Sequence, residues 1–458
     1  MTGIEVLVVA AGAALAGMVG GILWVASRLP RSVAPDSWSM AAEACHLIRG
    51  SGSTWIAGPH ESTRNLRVRF DPWPQRDDER RGTRIVVDAP DRGIVSLSLS
   101  PETSVTARAK QRGAREIETG DDGFDDEFYV TGPSTIVRAV LSHDTRALLR
   151  SLLVEVDLEV VGGELRGVVI QGLNSPARHG LLLSRTLPLL LDAAHRLRWP
   201  ADTARQLAHN ATTDREPGVR RENLLALLRE YPDAPATRAT TRAACSDPSD
   251  DVRTRAAIAL GDEGRSTLLE VARREDADDV AAGRAIAALH DHLTIEDAKE
   301  ILGRALRSRR TETAHESLAS LGRRADVTAV PVIAKVLAIE KGELAVTAAR
   351  ALAETGLPAA EAPLLAALER DAPGLRVAAA EALGRVGSAA AVLPLKEIET
   401  QYRDDATRRA ARQAVAAIQS RLPGASPGQL SLAPADAGAL SLAEDETGRL
   451  SLDGDRKR

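Results

Sequence analysis

The chain has few aromatic residues, little lysine and two cysteines. Phe, Trp and Tyr make up 2% of its 458 residues, and Cys45 and Cys245 stand some 200 positions apart. Cysteines so few and so separated exclude a disulfide framework and a cysteine-built metal centre. The shortage of aromatics removes stacking platforms for single-stranded nucleic acid from most of the chain. A formal net charge of −5 supplies no overall attraction to a polyanion, so no nucleic-acid partner is expected. Arginine dominates the 59 basic residues, and its excess reads as coding bias rather than phosphate recognition. The catalytic and cofactor motifs His-Glu-x-x-His, Gly-x-Ser-x-Gly, Gly-x-x-x-x-Gly-Lys and Cys-x-x-Cys are absent from the sequence. His290 and His292 are two apart and diverge by about 200° on a helix, so they share no metal there. The sequence therefore nominates no catalytic, cofactor or metal-binding residue and predicts a protein that is not an enzyme.

What is present divides by composition. All five tryptophans and all three phenylalanines lie at or before Trp199, leaving Tyr231 and Tyr402 beyond it. The first part mixes aromatic and β-branched residues, as a sheet does; the second is built from alanine, leucine and valine, as closely packed helices are. Leucines recur in the second part at Leu228, Leu260, Leu289, Leu321, Leu352 and Leu383, with spacings of 32, 29, 32, 31 and 31. One helical turn before each stands Leu224, Ala256, Ala285, Ser317, Ala348 or Ala379, small in five of six, which lets a neighbouring helix approach. Pro331, Pro363 and Pro394 each open an apolar run and mark the start of a second helix in the repeat. A period near 31 made of two short helices predicts an α-solenoid over residues 200–421, with the six leucines as its structural core.

This pattern resembles the short bacterial HEAT-like repeat. The residues carrying the resemblance are Asp250-Asp251-Val252-Arg253 leading to Ala256-Ala257 and Leu260-Gly261, then Leu375-Arg376-Val377 leading to Ala379-Ala380 and Leu383-Gly384, with Leu321-Gly322 repeating the ending. Leu289-His290 departs from it and predicts an irregular unit at 278–309. The resemblance implies protein–protein contact as the main role, and a few HEAT-like relatives that resemble chromophore lyases supply an alternative enzymatic reading. That alternative would need a cleft between the first domain and the first repeats, lined by His195, His209 and neighbouring carboxylates.

Residues 4–29 read as a transmembrane helix. From Val6 to Ser27 no residue is charged, and 22 residues at ~1.5 Å each span roughly 33 Å, enough for a hydrocarbon core. Arg28 and Arg31 follow the span and Glu5 precedes it, which places the bulk of the chain in the cytoplasm of a single-pass bacterial inner-membrane protein. Ala13, Gly17 and Gly21 at four-residue spacing would permit self-association in lipid.

A linker at 30–36 leads to an α+β domain at 37–199. Helix is expected over 39–49, 135–153 and 181–199, the second broken near Ser142-His143-Asp144 with Asp144 as cap. Strands are expected at 54–56, 66–70, 84–87, 94–99 and 124–130, with turns at Asp71-Pro72 and Asp91-Arg92-Gly93. A hairpin joins 154–161 to 165–171 across Gly162-Gly163. The phrase from Gly120 to Val130 is similar to a domain of unknown function in bacterial membrane-associated proteins and implies no activity. Its acidic cluster, Asp121, Asp122, Asp125, Asp126 and Glu127, does not fit EF-hand spacing and reads as a turn followed by a strand with its acids outward. A ligand or lipid sensor in this domain is a further alternative, which an apolar cavity would favour.

The tail, 422–458, carries Leu-Ser-Leu three times at an offset of 10, as Leu430 and Leu432, Leu440 and Leu442, and Leu450 and Leu452. Too little apolar area accompanies the copies to offset ordering entropy, so disorder is predicted, with the six leucines as a multivalent partner-binding motif. The reading as a whole is a membrane-anchored scaffold for proteins.

Overall fold

A computed structural model describes residues 35–50, 52–57, 65–74, 81–104, 106, 115–170, 176–289, 292–421, 430–432 and 440–442. The transmembrane segment read at 4–29, with its orientation and self-association, lies outside the described residues; among those described, no helix is long and apolar enough to cross a membrane. The chain forms two compact units that divide between Val252 and Arg253.

The first unit is built on an eight-stranded sheet with β1 (Leu47–Arg49), β2 (Thr54–Ala57), β3 (Arg67–Pro74), β4 (Arg81–Asp88), β5 (Ser98–Pro101), β6 (Phe128–Thr131), β7 (Asp157–Val161) and β8 (Glu164–Ile170). Its order is β1-β2-β3-β4-β8-β7-β5-β6, and the paired neighbours run antiparallel. The hairpin at Gly162-Gly163 forms as the sequence predicts, both glycines adopting the positive φ that a two-residue turn demands. Helix α1 (Pro35–Ala44) starts inside the span read as linker and gives way to β1 where a longer helix was expected. It packs beside α5 (Pro176–Arg196), and Trp38 stacks on Phe70 at 5.8 Å.

Three local expectations are corrected. Asp71-Pro72 is no turn: β3 runs through it, because Pro72 pairs with Thr83 at a strand position whose register tolerates the missing donor. The run at 94–99 is strand only from Ser98; Ile94 instead bridges Arg198. The acidic phrase is a helix, α2 (Asp122–Glu127), and only then β6. Asp121 caps that helix by accepting from the Phe124 amide at 3.1 Å, so the local cap outcompetes strand periodicity. Helices α3 (Ser134–Val140) and α4 (His143–Leu153) follow, broken where expected, with Ser142 as the cap residue and Asp144 in the first turn.

Helices α6 (Thr203–Thr213), α7 (Pro217–Glu230) and α8 (Pro235–Ala244) belong to the same compact unit as the sheet, although their composition is that of the repeats. Asn210 explains the attachment: its side-chain amide donates to the Arg138 and Ala139 carbonyls at the end of α3. Gly120 and Gly218 meet backbone to backbone, so closely that a Cβ on either would overlap the other's carbonyl group.

The second unit continues through the end of α9 (Asp250–Leu260), α10 (Arg265–Arg273), α11 (Asp279–Leu289), α12 (Ile295–Ser308), α13 (Thr311–Arg323), α14 (Val330–Ile339), α15 (Gly342–Thr355), α16 (Glu361–Leu368), α17 (Pro373–Val386), α18 (Val392–Gln401) and α19 (Asp405–Arg421). The odd-numbered helices from α11 to α19 stack side by side, and each even-numbered helix packs on the odd one that follows it. Pro331, Pro363 and Pro394 stand in the first turns of α14, α16 and α18, where an amide proton is not needed.

The repeated Leu-Gly ending has two physical causes. Gly322 is a close-approach position, since a Cβ there would stand 2.6 Å from the Ala351 carbonyl oxygen of the neighbouring α15. Gly261 has open space around it but a φ of +60°, the left-handed conformation that ends a helix.

In the tail, β9 (Leu430–Leu432) and β10 (Leu440–Leu442) pair antiparallel, Leu432 opposite Leu440 and Leu430 opposite Leu442. The expectation of disorder throughout 422–458 is corrected for these six residues. It counted each copy alone, whereas two copies satisfy one another's backbone groups. The third copy, Leu450 and Leu452, lies outside the described residues.

Candidate functional site

A concave feature of the first unit is assembled from three pieces of chain. The first is the end of α5 and the segment after it. Residues 197–199 run alongside 93–95, with the Val95 amide donating to the Leu197 carbonyl at 2.9 Å and the Trp199 amide to the Gly93 carbonyl at 3.2 Å. Gly93 has φ +72°, the left-handed region that favours glycine, and the Trp199 indole lies beside it. The second piece is the break between α3 and α4, where Ser142 and Thr145 share a hydroxyl hydrogen bond of 3.1 Å. The third is Gln206 of α6, held by Asn210 at 3.1 Å. Together they line an open cavity of about 540 Å³.

Its wall is cationic. Arg92, Arg196 and Arg198 line it against a single carboxylate, Asp192, with His195 and Trp199 between them. Arg196 pairs with Asp192 at 3.1 Å and approaches Asp144 at 3.9 Å, while Arg198 approaches Asp91 at 3.6 Å. Burial pushes the His195 imidazolium pKa below its ordinary value, and Arg198 and Arg196 push the same way against the opposing pull of Asp192. The buried His195 Nδ1 has no hydrogen-bond partner among the described residues. His209, expected beside it, is exposed on α6 and does not line the cavity. The arginines were missed because Arg92 lies about a hundred residues before Arg196 and Arg198, and no motif registers that separation.

Behind this wall lies a buried ionic cluster. Arg146, almost wholly shielded, donates from Nε to Asp121 at 2.8 Å, from Nη1 to the Leu141 carbonyl at 2.7 Å, and from Nη2 to Asp214 at 3.0 Å. Asp214 also accepts from the His143 amide at 2.9 Å, and its carbonyl accepts from Arg220, whose guanidinium grips Asp247 through two bonds of 2.7 Å. Burial would raise the Asp121 pKa, but the hydrogen bonds from Arg146 and Phe124 bring it net below the usual carboxylate value. Asp125 moves the other way: burial raises it despite hydrogen bonds from Thr119 and Gly120. The acidic phrase is thus consumed in capping and ion pairing, and among the described residues no group of three or more His, Cys, Asp or Glu is placed to hold a metal.

The six repeat leucines do not share one environment. Leu289, Leu321, Leu352 and Leu383 are buried, whereas Leu228 and Leu260 are half-buried. In α7 the register shifts by one, and Leu224 and Leu227 fill the interior in place of Leu228. In α9 the interior is supplied by Val252, Ala256 and Ala257. The residues one turn earlier, Ala256, Ala285, Ser317, Ala348 and Ala379, are all buried, as close helix packing requires.

Several arginines of the second unit hold helix ends. Arg310 donates to the Arg274 and Glu275 carbonyls beyond the end of α10, Arg370 to Leu337 and Glu340 at the end of α14, and Arg421 to Gly384 and Gly387 at the end of α17. Each guanidinium closes carbonyls that a helix C-terminus leaves unpaired. Arg412 pairs with Glu399 at 2.8 Å. Of the irregular unit, His292 lies within hydrogen-bonding distance of Arg265, at 3.2 Å, and His290 falls outside the described residues.

The fold defines a class: a HEAT-like helical repeat body preceded by a small β-sheet domain. A family model described as HEAT repeats matches residues 337–416, a stretch covering the end of α14 through most of α19. A solved structure of human deoxyhypusine hydroxylase in complex with glycerol is similar at 16% identity and a TM-score of 0.22, covering 47% of this chain and 96% of that one. Comparison with curated proteins returns no match.

Proposed function

We propose that the chain is a protein-interaction scaffold whose helical repeats present the partner surface, with the Leu-Ser-Leu tail as a second contact. The observation that carries this reading is the side-by-side stack of α11, α13, α15, α17 and α19, which repeats one helix face five times. Such stacks form extended surfaces suited to protein partners. The leucines of the tail, Leu430, Leu432, Leu440, Leu442, Leu450 and Leu452, give short backbone segments of the kind that pair with a partner's sheet edge.

Proximity labelling from the full chain should return a defined set of proteins, and truncation after Arg421 should remove part of that set. A labelling profile indistinguishable from background in both forms would reject the scaffold. The charge-free run at 6–27 is proposed as its anchor, with the repeats on the cytoplasmic side of a bacterial inner membrane. Deleting residues 1–29 should move the protein from the membrane pellet to the supernatant, and a full-length chain already in the supernatant would sink that part of the reading.

A further inference from the structure

The arginine-lined cavity of the first unit is not explained by scaffolding, and its chemistry is specific. Its volume of about 540 Å³ falls within the range of small-molecule sites. Arg92, Arg196 and Arg198 outnumber the single lining carboxylate, Asp192, which accepts two hydrogen bonds of 3.1 Å from Arg196. Asp144 and Asp192 are substantially exposed, and the approaches of Asp144 and Asp91 are 3.9 and 3.6 Å, long for charge-assisted hydrogen bonds. A phosphate group, with three terminal oxygens and up to two charges, would take guanidinium donors from such partners because it matches their forked geometry. Ser142, Thr145 and Gln206 add neutral polar groups to the same wall. Trp199 adds a part-exposed indole, at 37% of its full exposure, positioned by the Gly93 contact.

We propose that this cavity binds a small phosphorylated molecule carrying a planar ring, of the nucleotide class, with phosphate on Arg92, Arg196 and Arg198 and the ring on Trp199. The frame around it is rigid for a reason already visible. The Arg146 cluster fixes the α3–α4 break against Asp214, and the 93–95 and 197–199 segments are tied backbone to backbone. Rigid walls let the site bind without an ordering cost. The overall negative charge of the chain disfavours a polymeric anion.

The test uses the full chain and three probes: inorganic pyrophosphate, nucleoside monophosphates, and the corresponding unphosphorylated nucleosides. Calorimetry should show saturable binding of at least one nucleoside monophosphate, competed by pyrophosphate, with the nucleoside weaker by about tenfold or more, the scale of a lost charge-assisted bond. Intrinsic fluorescence should change on binding, and the change should disappear in Trp199→Phe while binding persists. The double substitution Arg196→Ala with Arg198→Ala should abolish binding; if that variant melts early, Arg92→Ala with Arg196→Ala serves, both being nearer the surface. Absence of binding by all probes, equal binding of nucleoside and nucleotide, or unchanged affinity in a folded arginine variant would each overturn the assignment. Pyrophosphate binding with no gain from the ring would overturn the role given to Trp199.

Discussion

Arg146→Met should lower the stability of the first unit by about 3–5 kcal/mol, the cost of stranding buried charges without their partner. Two carboxylates depend on this guanidinium, Asp121 at 2.8 Å and Asp214 at 3.0 Å, and both are shielded from water. Methionine fills much of the arginine volume, so the loss reports on charge rather than on a void. All the tryptophans lie at or before Trp199, so fluorescence follows this unit while far-ultraviolet dichroism follows the helices. Acid should reveal the same cluster. The Asp121 carboxyl titrates below its unfolded value, so its contribution is complete above the ordinary range near ~3.9 and is lost as the pH falls through the folded value. In Arg146→Met that acid-sensitive contribution should shrink. A variant with the wild-type denaturation midpoint and acid profile would show that the cluster is inert.

Leu352→Ala should cost about 2–5 kcal/mol, and Leu260→Ala roughly 1 kcal/mol, although the sequence repeat treats the two as equivalents. Leu352 is fully enclosed within the helix stack, and truncation leaves a void that its neighbours, already in close contact, cannot collapse to fill. Leu260 is half-buried at the end of α9, so part of the space it vacates is already solvent. The difference should appear as separated midpoints in denaturation followed by far-ultraviolet dichroism. Equal losses at both positions would mean that period, rather than packing, sets the energetics.

The arginines show why the functional cavity was illegible. Arg92 comes from a turn, Arg196 from the last turn of α5, and Arg198 from the extended segment beyond it. Arg196 and Arg198 stand two apart, but no period links either to Arg92 about a hundred residues earlier, and the general excess of arginine hid them further. Of the two histidines expected to line a cleft, His195 lines the cavity and His209 sits on the exposed face of α6. Residues 203–244 make the same point at the scale of domains. Their alanine- and leucine-rich helices read as repeats, yet Asn210 and the Gly120–Gly218 approach bind them into the sheet unit.

By itself the sequence determined the helical repeat and its proline-marked second helices, because a 31-residue period and a 3.6-residue period are local properties of the chain. It also determined the hairpin at Gly162-Gly163, whose φ requirement two glycines meet at once. Tertiary structure alone decided which leucines are interior, since a shift of one residue in α7 moves Leu227 inward and Leu228 halfway out. It alone gave the acidic phrase its buried ion pair, because the Arg146 partner of Asp121 lies 25 residues away, whereas the cap on the Phe124 amide is local. And it alone gathered three arginines around one cavity, for proximity in space between distant residues leaves no trace in their spacing along the chain.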